Sequence, residues 1–192
     1  MTTVPKTPID DIPAGKQVAT FGSGCFWCIE AVYQNIRGVE QIMPGYAGGF
    51  VANPSYNEIS TGTTGHAEVI QFFYAPHIIS FQDLLEVFWA THDPTTPNQQ
   101  GADIGPQYRS AIFYHTEEQR KTAEEFKTLI DKAEVYDKPI VTEITAFTNF
   151  YPAENYHVNY YENHPNQPYC QIMIKPKLEK LKKVFGQHTK VI

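Results

Sequence analysis

Two cysteines three positions apart lie in the stretch Gly-Ser-Gly-Cys-Phe-Trp-Cys, which contains Cys25 and Cys28 and follows a short apolar run from Val18 to Phe21. The run predicts a buried strand, and the helical spacing of the apolar residues after Cys25 predicts a helix. Glycines before the first cysteine permit a sharp turn between the two elements. We therefore expect Cys25 in the first turn of a helix, where free N–H groups and the helix dipole lower the pKa of a thiol and favour a nucleophilic thiolate.

The second cysteine of this motif, Cys28, is predicted on the same helix face as the first. Two sulfurs at this spacing can close a tight disulfide, which indicates redox chemistry. Metal binding is the other common use of such a motif, but the chain has no second cysteine pair and its histidines show no ligand spacing, so no metal site is predicted. Cys170 stands apart late in the chain, and a buried inert thiol is an open alternative for it.

Further candidate residues lie near the ends of predicted loops, where catalytic side chains are common. Glu68 begins a predicted strand, and a carboxyl group beside an apolar cleft can have a raised pKa and hold its proton at neutral pH. Tyr56 and Tyr108 could donate hydrogen bonds from their hydroxyl groups, and Asp103 could cap backbone amides. The alternatives are a surface position for the glutamate and core positions for the tyrosines.

Composition limits the classes of protein to consider. The 192 residues are 42% hydrophobic and 19% charged, which is typical of one folded domain. The net charge of −6 and the absence of a basic run argue against nucleic acid as a partner. No apolar run is long enough to span a membrane, and the first residues do not resemble a signal peptide. We therefore expect a cytoplasmic protein without a membrane or nucleic-acid partner.

The elements that must position these residues alternate along the chain. Residues 1–15 predict an N-terminal arm and residues 16–192 a single catalytic domain. Predicted strands cover residues 16–21, 38–43, 67–74, 108–114 and 140–147; predicted helices cover 25–36, 80–90, 116–133 and 176–184. Residues 150–164 should be partly helical, and residues 170–174 extended. This β-α-β-β-α-β order with extra pieces predicts an α+β, two-layer fold with one face of its sheet covered. Two long loops, 44–65 and 92–107, are expected near Cys25.

Six short motifs run in order along most of the chain. They are Gly24-Cys25-Phe26-Trp27, Gly48-Gly49, Asn53-Pro54-Ser55-Tyr56, Gly65-His66-Ala67-Glu68, Asp103-Ile104-Gly105-Pro106-Gln107-Tyr108-Arg109-Ser110 and Ala153-Glu154-Asn155-Tyr156-His157. Together they resemble the A-type peptide methionine sulfoxide reductases. The resemblance implies an α/β sandwich around a ferredoxin-like core, in agreement with the predicted sheet.

The resemblance also implies a role for each matching residue. It implies that Cys25 is the nucleophile and that Phe26 and Trp27 form the apolar cage for the S-methyl group of the substrate. It implies that Glu68 is the acid that protonates the sulfoxide oxygen and that the hydroxyls of Tyr56 and Tyr108 hold that oxygen. Asp103 matches a substrate-positioning carboxylate. The activity implied is reduction of the S epimer of methionine sulfoxide, free or in oxidised proteins, through a sulfenic acid on Cys25. An intramolecular disulfide then forms and is reduced by thioredoxin, or by dithiothreitol in vitro, without a bound cofactor.

The chain departs from the commonest family pattern at Cys28, where many members have glycine and recycle through cysteines near the C-terminus. Either Cys28 or Cys170 could therefore resolve the sulfenic acid. Because ring closure over two intervening residues needs little reorganisation of the chain, we expect a Cys25–Cys28 disulfide first. Cys170 would then be a relay thiol or inert. We expect a monomer.

Two other functions fit the cysteine motif alone. The first is a thioredoxin-like disulfide oxidoreductase that uses Cys25 and Cys28. The second is a redox-sensing or zinc-binding module without catalysis. The first of them explains the cysteines but not the long loops.

Overall fold

Six strands form one mixed sheet in the computed structural model, which describes residues 11–190. The strands are β1 Gln17–Ser23, β2 Val39–Ala47, β3 Ala67–Tyr74, β4 Gln99–Gln100, β5 Asp103–Ile104, β6 Ser110–Tyr114, β7 Glu143–Ala146 and β8 Phe150–Pro152. The α-helices are α1 Phe26–Gln34, α2 Tyr56–Ser60, α3 Phe81–Ala90, α4 Glu117–Lys132, α5 Tyr160–Asn163 and α6 Lys175–Phe185. The sheet order is β7-β6-β1-β3-β2-β8, and β4 and β5 pair separately.

The four central strands have the order β6-β1-β3-β2, and every neighbouring pair among them is antiparallel. Helix α1 lies in the connection from β1 to β2, and α3 lies in the connection from β3 to β6. This is the ferredoxin-like β-α-β-β-α-β arrangement, so the predicted α+β class and core are confirmed. The extra pieces include β7, parallel to β6, and β8, antiparallel to β2.

The central strand β3 explains how a carboxyl group enters the interior. All eight of its residues are buried, and successive side chains point to opposite faces of the sheet. Ile70 and Phe72 belong to the main apolar cluster with residues of α1 and α3, whereas Val69 belongs to a smaller cluster on the other face. Glu68 is two and four positions from Ile70 and Phe72, so its side chain lies on the same face of the sheet as theirs, the face that α1 covers.

Strand β2 is longer than predicted and takes up the start of the predicted loop 44–65. A positive φ of 49° at Gln41 accompanies a register shift between Glu40 and Met43, after which the strand continues through Pro44. The Pro44 carbonyl accepts a hydrogen bond from the N–H of Ala153 at 2.9 Å, on the side where β8 ends. The N–H group that proline lacks therefore costs no hydrogen bond to β3, which is why proline is tolerated in this strand.

Both predicted loops contain short ordered elements. The first includes α2, whose N-cap Ser55 forms a reciprocal capping box with Glu58. The second contains the β4–β5 hairpin and a 3₁₀ turn at residues 106–108. The strand predicted at 67–74 is present with the predicted bounds. The strands predicted at 16–21, 108–114 and 140–147 and the four predicted helices are present with shifted ends, and the region 150–164 contains β8, a 3₁₀ turn and α5.

The prediction of an extended segment at residues 170–174 is wrong. Cys170–Ile174 forms a π-helical turn that leads directly into α6. Cys170 and Ile174 are both completely buried. Their separation of four residues is a helical spacing, so burial of one helix face decides the conformation. Residues 1–10 of the predicted N-terminal arm lie outside the described residues.

Candidate active site

The turn between β1 and α1 brings the backbone very close to neighbouring segments. A Cβ atom on Gly22 would lie 2.9 Å from the carbonyl oxygen of Glu68. Gly24 has a φ of +92°, and a Cβ there would lie 2.6 Å from the side chain of Gln100. Gln100 in turn bonds the backbone of Asp93 through both of its amide atoms. Glycine is required at these two positions because no side chain would fit. The close contact between Gly24 and Gln100 places the second predicted loop directly against the cysteine motif.

Cys25 is the N-cap residue of α1 and not part of its first turn, since the helix begins at Phe26. The N–H of Phe26 donates to Glu68 Oε2 at 3.0 Å, so the first amide of the helix is hydrogen-bonded to the glutamate and not to Cys25. Burial raises the pKa of the Cys25 thiol well above its usual range, and its interaction with Cys28 raises it further. The expected lowering of the Cys25 pKa is therefore wrong for the ligand-free site, because desolvation outweighs the helix terminus.

Glu68 is 1% exposed at the start of β3. Burial raises the pKa of its carboxyl group to about 8, although the hydrogen bond from Phe26 opposes the shift. The group is therefore mainly protonated at neutral pH, as a general acid must be. The expectation of a proton-holding carboxyl at this position agrees with this environment.

Aromatic rings surround the two residues after Cys25. Phe26 is completely buried and contacts Tyr46 and His157, with ring centroids 5.9 and 4.9 Å away. Trp27 is partly exposed, and its ring stacks on Tyr160 with a centroid distance of 3.7 Å. The indole Nε1–H donates to His157 Nδ1 at 3.0 Å. The indole is thus fixed in position and presents an apolar wall next to Cys25.

The structure places Tyr56 and Tyr108 close enough to Glu68 and Cys25 for the charges of these two groups to act on both hydroxyls. Tyr56 is the first residue of α2, and Tyr108 ends the 3₁₀ turn of the second loop. Burial raises the pKa of Tyr56 to about 12 and also raises that of Tyr108, and nearby charge on Glu68 and Cys25 adds to both shifts. Both hydroxyls therefore remain protonated donors at neutral pH, and the two loops meet near Cys25 as predicted.

Asp103 lies near the second cysteine, and the hydrogen bond that its carboxylate accepts comes from a side-chain hydroxyl rather than from the predicted backbone amides. Its Oδ2 accepts a hydrogen bond from the Tyr169 hydroxyl at 2.8 Å, and that same hydroxyl is 3.5 Å from Cys28 Sγ. The pKa of Cys28 is lowered to about 7, chiefly by the hydrogen bond with the Cys25 thiol. Cys28 is 3% exposed and is the more acidic of the two thiols.

Cys170 is completely buried. Burial raises the pKa of its thiol, and the charge of Cys28 raises it further. All three cysteines are reduced. The electrostatic interactions thus connect Cys25 with Cys28, and Cys28 with Cys170. Within residues 11–190 no cluster of histidine, cysteine, aspartate or glutamate side chains could hold a metal ion. No helix in this described part of the chain is long and apolar enough to cross a membrane.

Four side chains of the site were not singled out from the sequence: Glu154, His157, Tyr160 and Tyr169. Glu154 accepts hydrogen bonds from the Tyr46 hydroxyl and from the N–H of Tyr56, both at 2.8 Å. His157 bonds Trp27 through Nδ1, while its buried Nε2 has no hydrogen-bond partner among residues 11–190. The motif Ala153-Glu154-Asn155-Tyr156-His157 was a usable signal for the first two, but nothing in the sequence indicates the contacts of Tyr160 and Tyr169.

The family described as Peptide methionine sulfoxide reductase matches residues 17–189 of the chain. The chain belongs to this family. It is a peptide methionine sulfoxide reductase, an enzyme that reduces methionine sulfoxide.

Similar members of the family cover nearly the whole chain. Peptide methionine sulfoxide reductase MsrA of a Thermus thermophilus strain is 51% identical over 88% of this chain and 96% of its own length. MsrA of Sulfolobus acidocaldarius is 52% identical over 91% of this chain and 98% of its own length.

Solved structures of the family share the fold. Reduced Mxr1 from Saccharomyces cerevisiae is 34% identical, with a TM-score of 0.75 over 82% of this chain and 91% of its own. Methionine sulfoxide reductase A of Corynebacterium diphtheriae is 31% identical, with a TM-score of 0.71 over 81% of this chain and 78% of its own. Yeast Mxr1 has also been solved in complex with Trx2; that structure is 26% identical, with a TM-score of 0.53 over 83% of this chain and 91% of its own.

Proposed function

We propose that this peptide methionine sulfoxide reductase acts on the S epimer of methionine sulfoxide, free and in oxidised proteins, with Cys25 as the nucleophile and Glu68 as the acid. The observation that carries the assignment is the 3.0 Å hydrogen bond from the Phe26 N–H to Glu68 Oε2. It fixes a buried carboxyl group, protonated at neutral pH, against the residue that follows Cys25. A thiol and a proton source are the two groups that removal of a sulfoxide oxygen requires.

In the proposed reaction the sulfur of Cys25 attacks the sulfur of the sulfoxide. Glu68 donates its proton to the sulfoxide oxygen, and the proton lost by the Cys25 thiol restores the carboxyl group. The hydroxyl group then passes from the substrate sulfur to the Cys25 sulfur as the S–S bond formed in the attack breaks. Cys25 is left as a sulfenic acid and the substrate leaves as methionine, so the thiol is oxidised as the sulfoxide is reduced. Hydrogen bonds from the Tyr56 and Tyr108 hydroxyls stabilise charge on the oxygen as its bond to sulfur breaks.

Selection of one epimer follows from the two unlike sides of the proposed pocket. Phe26 and Trp27 form the apolar wall for the S-methyl group, while the tyrosine hydroxyls and Glu68 receive the oxygen. A sulfoxide sulfur of the opposite configuration cannot place its methyl group and its oxygen on these sides together with its main chain. Asp103, at the exposed edge of the site, positions the rest of the substrate.

For recycling, we propose that Cys28 condenses with the Cys25 sulfenic acid and that Cys170 then takes over the bond to Cys28. The interactions of Cys28 with both other thiols support this order. Thioredoxin, or dithiothreitol in vitro, reduces the final disulfide. The complex of yeast Mxr1 with Trx2 supports a thioredoxin partner for a relative of this chain.

The remaining parts of the proposal concern the setting of the reaction. We propose a cytoplasmic monomer with one catalytic domain at residues 16–192 behind an N-terminal arm at residues 1–15. It needs no bound cofactor and has no nucleic-acid or membrane partner. The thioredoxin-like alternative is not supported, because the chain has a ferredoxin-like sheet and belongs to the sulfoxide reductases.

The test is a reductase assay on two peptides that differ only in the epimer of their methionine sulfoxide, with dithiothreitol as the reductant. We expect turnover of the S epimer and none of the R epimer. Cys25→Ser should abolish it, because an alcohol is a far poorer nucleophile than a thiol at neutral pH. Equal rates on both epimers, or near-normal turnover by Cys25→Ser, would refute the assignment. Reduction of insulin disulfides measures the rejected alternative in parallel.

A further inference from the structure

The hydroxyl group of Tyr169 is shared between an acid and a thiol. It donates to Asp103 Oδ2 at 2.8 Å and lies 3.5 Å from Cys28 Sγ, and the ring packs edge-on against Trp27. Tyr169 directly precedes the π-helical turn Cys170–Ile174, which is packed into the core through Cys170 and Ile174. The hydroxyl is therefore held in place by a rigid segment, between the proposed substrate-binding carboxylate and the proposed resolving thiol.

A phenol hydroxyl has one proton and can donate it to only one acceptor at a time. While Tyr169 donates to Asp103, its oxygen can only accept from the Cys28 S–H. Once Cys28 is a thiolate, its sulfur is an acceptor, and the hydroxyl stabilises it only by turning away from Asp103. Burial raises the pKa of Tyr169 far above its usual range, so the hydroxyl keeps its proton in both arrangements. Asp103 and the Cys28 thiolate thus compete for one hydrogen bond.

We propose that Tyr169 is a positioning residue for the recycling step: its hydroxyl orients Cys28 toward Cys25 and stabilises the Cys28 thiolate when substrate occupies Asp103. This inference rests on the proposed role of Cys28 as the resolving thiol. Engagement of Asp103 by substrate frees the hydroxyl, so the resolving thiol is activated in the complex in which the sulfenic acid forms.

The chemical step is balanced within the chain. The Cys28 thiolate attacks the sulfur of the Cys25 sulfenic acid, an S–S bond forms and the S–O bond breaks. The departing hydroxide takes the proton that Cys28 released and leaves as water. No further oxidant or reductant is needed before the disulfide is complete. A family member with glycine at this position has no thiol for the tyrosine hydroxyl to assist.

Other charged groups act on Cys28, and the experiment must separate Tyr169 from them. The charge of Lys177 lowers the pKa of Cys28, and that of Asp103 raises it. The titratable or charged groups that interact with Cys28 are Cys25, Glu68, Asp103, Tyr169, Cys170 and Lys177. Among these groups, Tyr169 is the one whose single hydroxyl oxygen contacts both Cys28 and Asp103 in the described part of the chain.

The first experiment titrates Cys28 alone. In a Cys25→Ser, Cys170→Ser chain, the only thiolate absorbance in the ultraviolet comes from Cys28. Adding Asp103→Ala should lower the midpoint of its titration, because the negative charge is gone and the Tyr169 hydroxyl is free to donate to the thiolate. Adding Tyr169→Phe to that Asp103→Ala chain should then raise the midpoint by roughly one to two pH units, since a hydrogen bond to a charged group is lost. Tyr136→Phe, which removes a hydroxyl bonded to the Trp89 carbonyl, is the matched control. An unchanged midpoint when Tyr169→Phe is added to the Asp103→Ala chain overturns the proposal.

The second experiment is a rapid-quench single turnover without reductant, in which methionine formed and thiols lost are counted separately. In Tyr169→Phe we expect the ratio of the rate of thiol loss to the rate of methionine formation to fall roughly tenfold. An unchanged ratio overturns the inference. If Cys28→Ser loses its remaining thiols at the wild-type rate, the proposed resolving role of Cys28 itself is wrong, and the titration of Cys28 still distinguishes that result from a failure of the Tyr169 contact.

Discussion

The N–H of Phe26 donates to Glu68 Oε2 at 3.0 Å, so the first free amide of α1 holds a carboxyl group from a strand 42 positions later in the chain. This hydrogen bond partly offsets the effect of burial on the pKa of that carboxyl, which nevertheless is raised to about 8. The same contact connects the turn that presents Cys25 to the centre of the sheet. The proposed nucleophile and the proposed acid are therefore linked through the residue that follows Cys25.

Replacing Glu68 by glutamine should slow methionine formation in a single turnover by about 10²–10⁴-fold, the usual size of general acid catalysis. Glutamine keeps the shape of the side chain and an acceptor for the Phe26 N–H, but it has no acidic proton. Substrate affinity should change much less than the rate. The Glu68→Asp variant retains an acid at a shorter reach and should be intermediate. An unchanged rate in Glu68→Gln would identify a different proton donor.

The raised pKa of Glu68, about 8, also predicts a pH profile. The acid must be protonated to act, so the rate of the reductive step should fall as pH rises through this value. The Glu68→Gln variant has lost this group, and its residual rate should lack that decline. Single-turnover rates across the alkaline range provide the measurement. A wild-type decline that persists unchanged in Glu68→Gln would assign it to another group.

Tyr56→Phe and Tyr108→Phe should each slow the reductive step by less than the double change does. Each hydroxyl remains a protonated donor at neutral pH, because burial raises the pKa of both. One donor can therefore partly replace the other on the oxygen; losing one oxyanion donor usually costs no more than about 10²–10³-fold. The double-mutant cycle is measured in single turnovers, with Tyr136→Phe as a control. A single variant as slow as the double variant would contradict shared stabilisation.

The proposed order of disulfides can be read by peptide mapping after one turnover without reductant. We expect wild type to pass through Cys25–Cys28 and then to accumulate Cys28–Cys170, because Cys28 interacts with both other thiols. Cys170→Ser should stop at Cys25–Cys28. Cys28→Ser should accumulate the Cys25 sulfenic acid, which can be trapped with a dimedone probe. Formation of Cys25–Cys170 in Cys28→Ser at the wild-type rate would make Cys170 the resolving residue.

A second buried carboxyl should affect stability rather than chemistry. Glu30 on α1 is 1% exposed, accepts a hydrogen bond from the N–H of Asn159 at 2.9 Å, and has a pKa raised to about 7 by burial. The folded chain therefore holds a proton that the unfolded chain loses, so this group's contribution to the free energy of unfolding declines as pH rises from about 4.5 to about 7. A shift of this size corresponds to about 3 kcal/mol above both pKa values.

Glu30→Gln removes that titration while keeping an acceptor for the Asn159 N–H. Relative to wild type, its free energy of unfolding should improve by roughly 1–3 kcal/mol between about pH 5 and about pH 8. Urea unfolding at the two pH values measures the difference, and Glu125→Gln, at an exposed position on α4, is the control. A difference between wild type and Glu30→Gln that does not change with pH would show that Glu30 does not titrate in this range.

The sequence predicts the elements that local patterns determine. Apolar spacing around Phe21 and after Cys25 correctly indicates a strand followed by a helix, and the order of elements correctly indicates the ferredoxin-like sheet. The errors arise where distant residues decide. Pro44 remains in β2 because β8 has already ended beside it, and the segment at 170–174 is helical because two residues four apart are buried together.

The same reason explains the partly predicted site. The motifs are typical of the family and bring together the residues that the resemblance names, but the environment of each residue is set across the chain. The pKa of Cys25 is raised chiefly because the thiol is buried, and its hydrogen bond with Cys28 raises it further. The Tyr169 hydroxyl reaches both Cys28 and Asp103 only after three distant segments have folded together. Such contacts have no local pattern in the sequence.

The hydrogen bond between Trp27 and His157 spans 130 positions of the chain, and the contact between Cys28 and Tyr169 spans 141. During synthesis the cysteine motif leaves the ribosome long before either partner. At about 5–20 residues per second, the delay is roughly 7–30 seconds. For that time the thiols lack the aromatic cover that the finished protein provides. A nascent chain of this enzyme is therefore open to the oxidants whose damage the folded enzyme repairs, and synthesis under oxidative stress should yield more enzyme with its cysteines already oxidised.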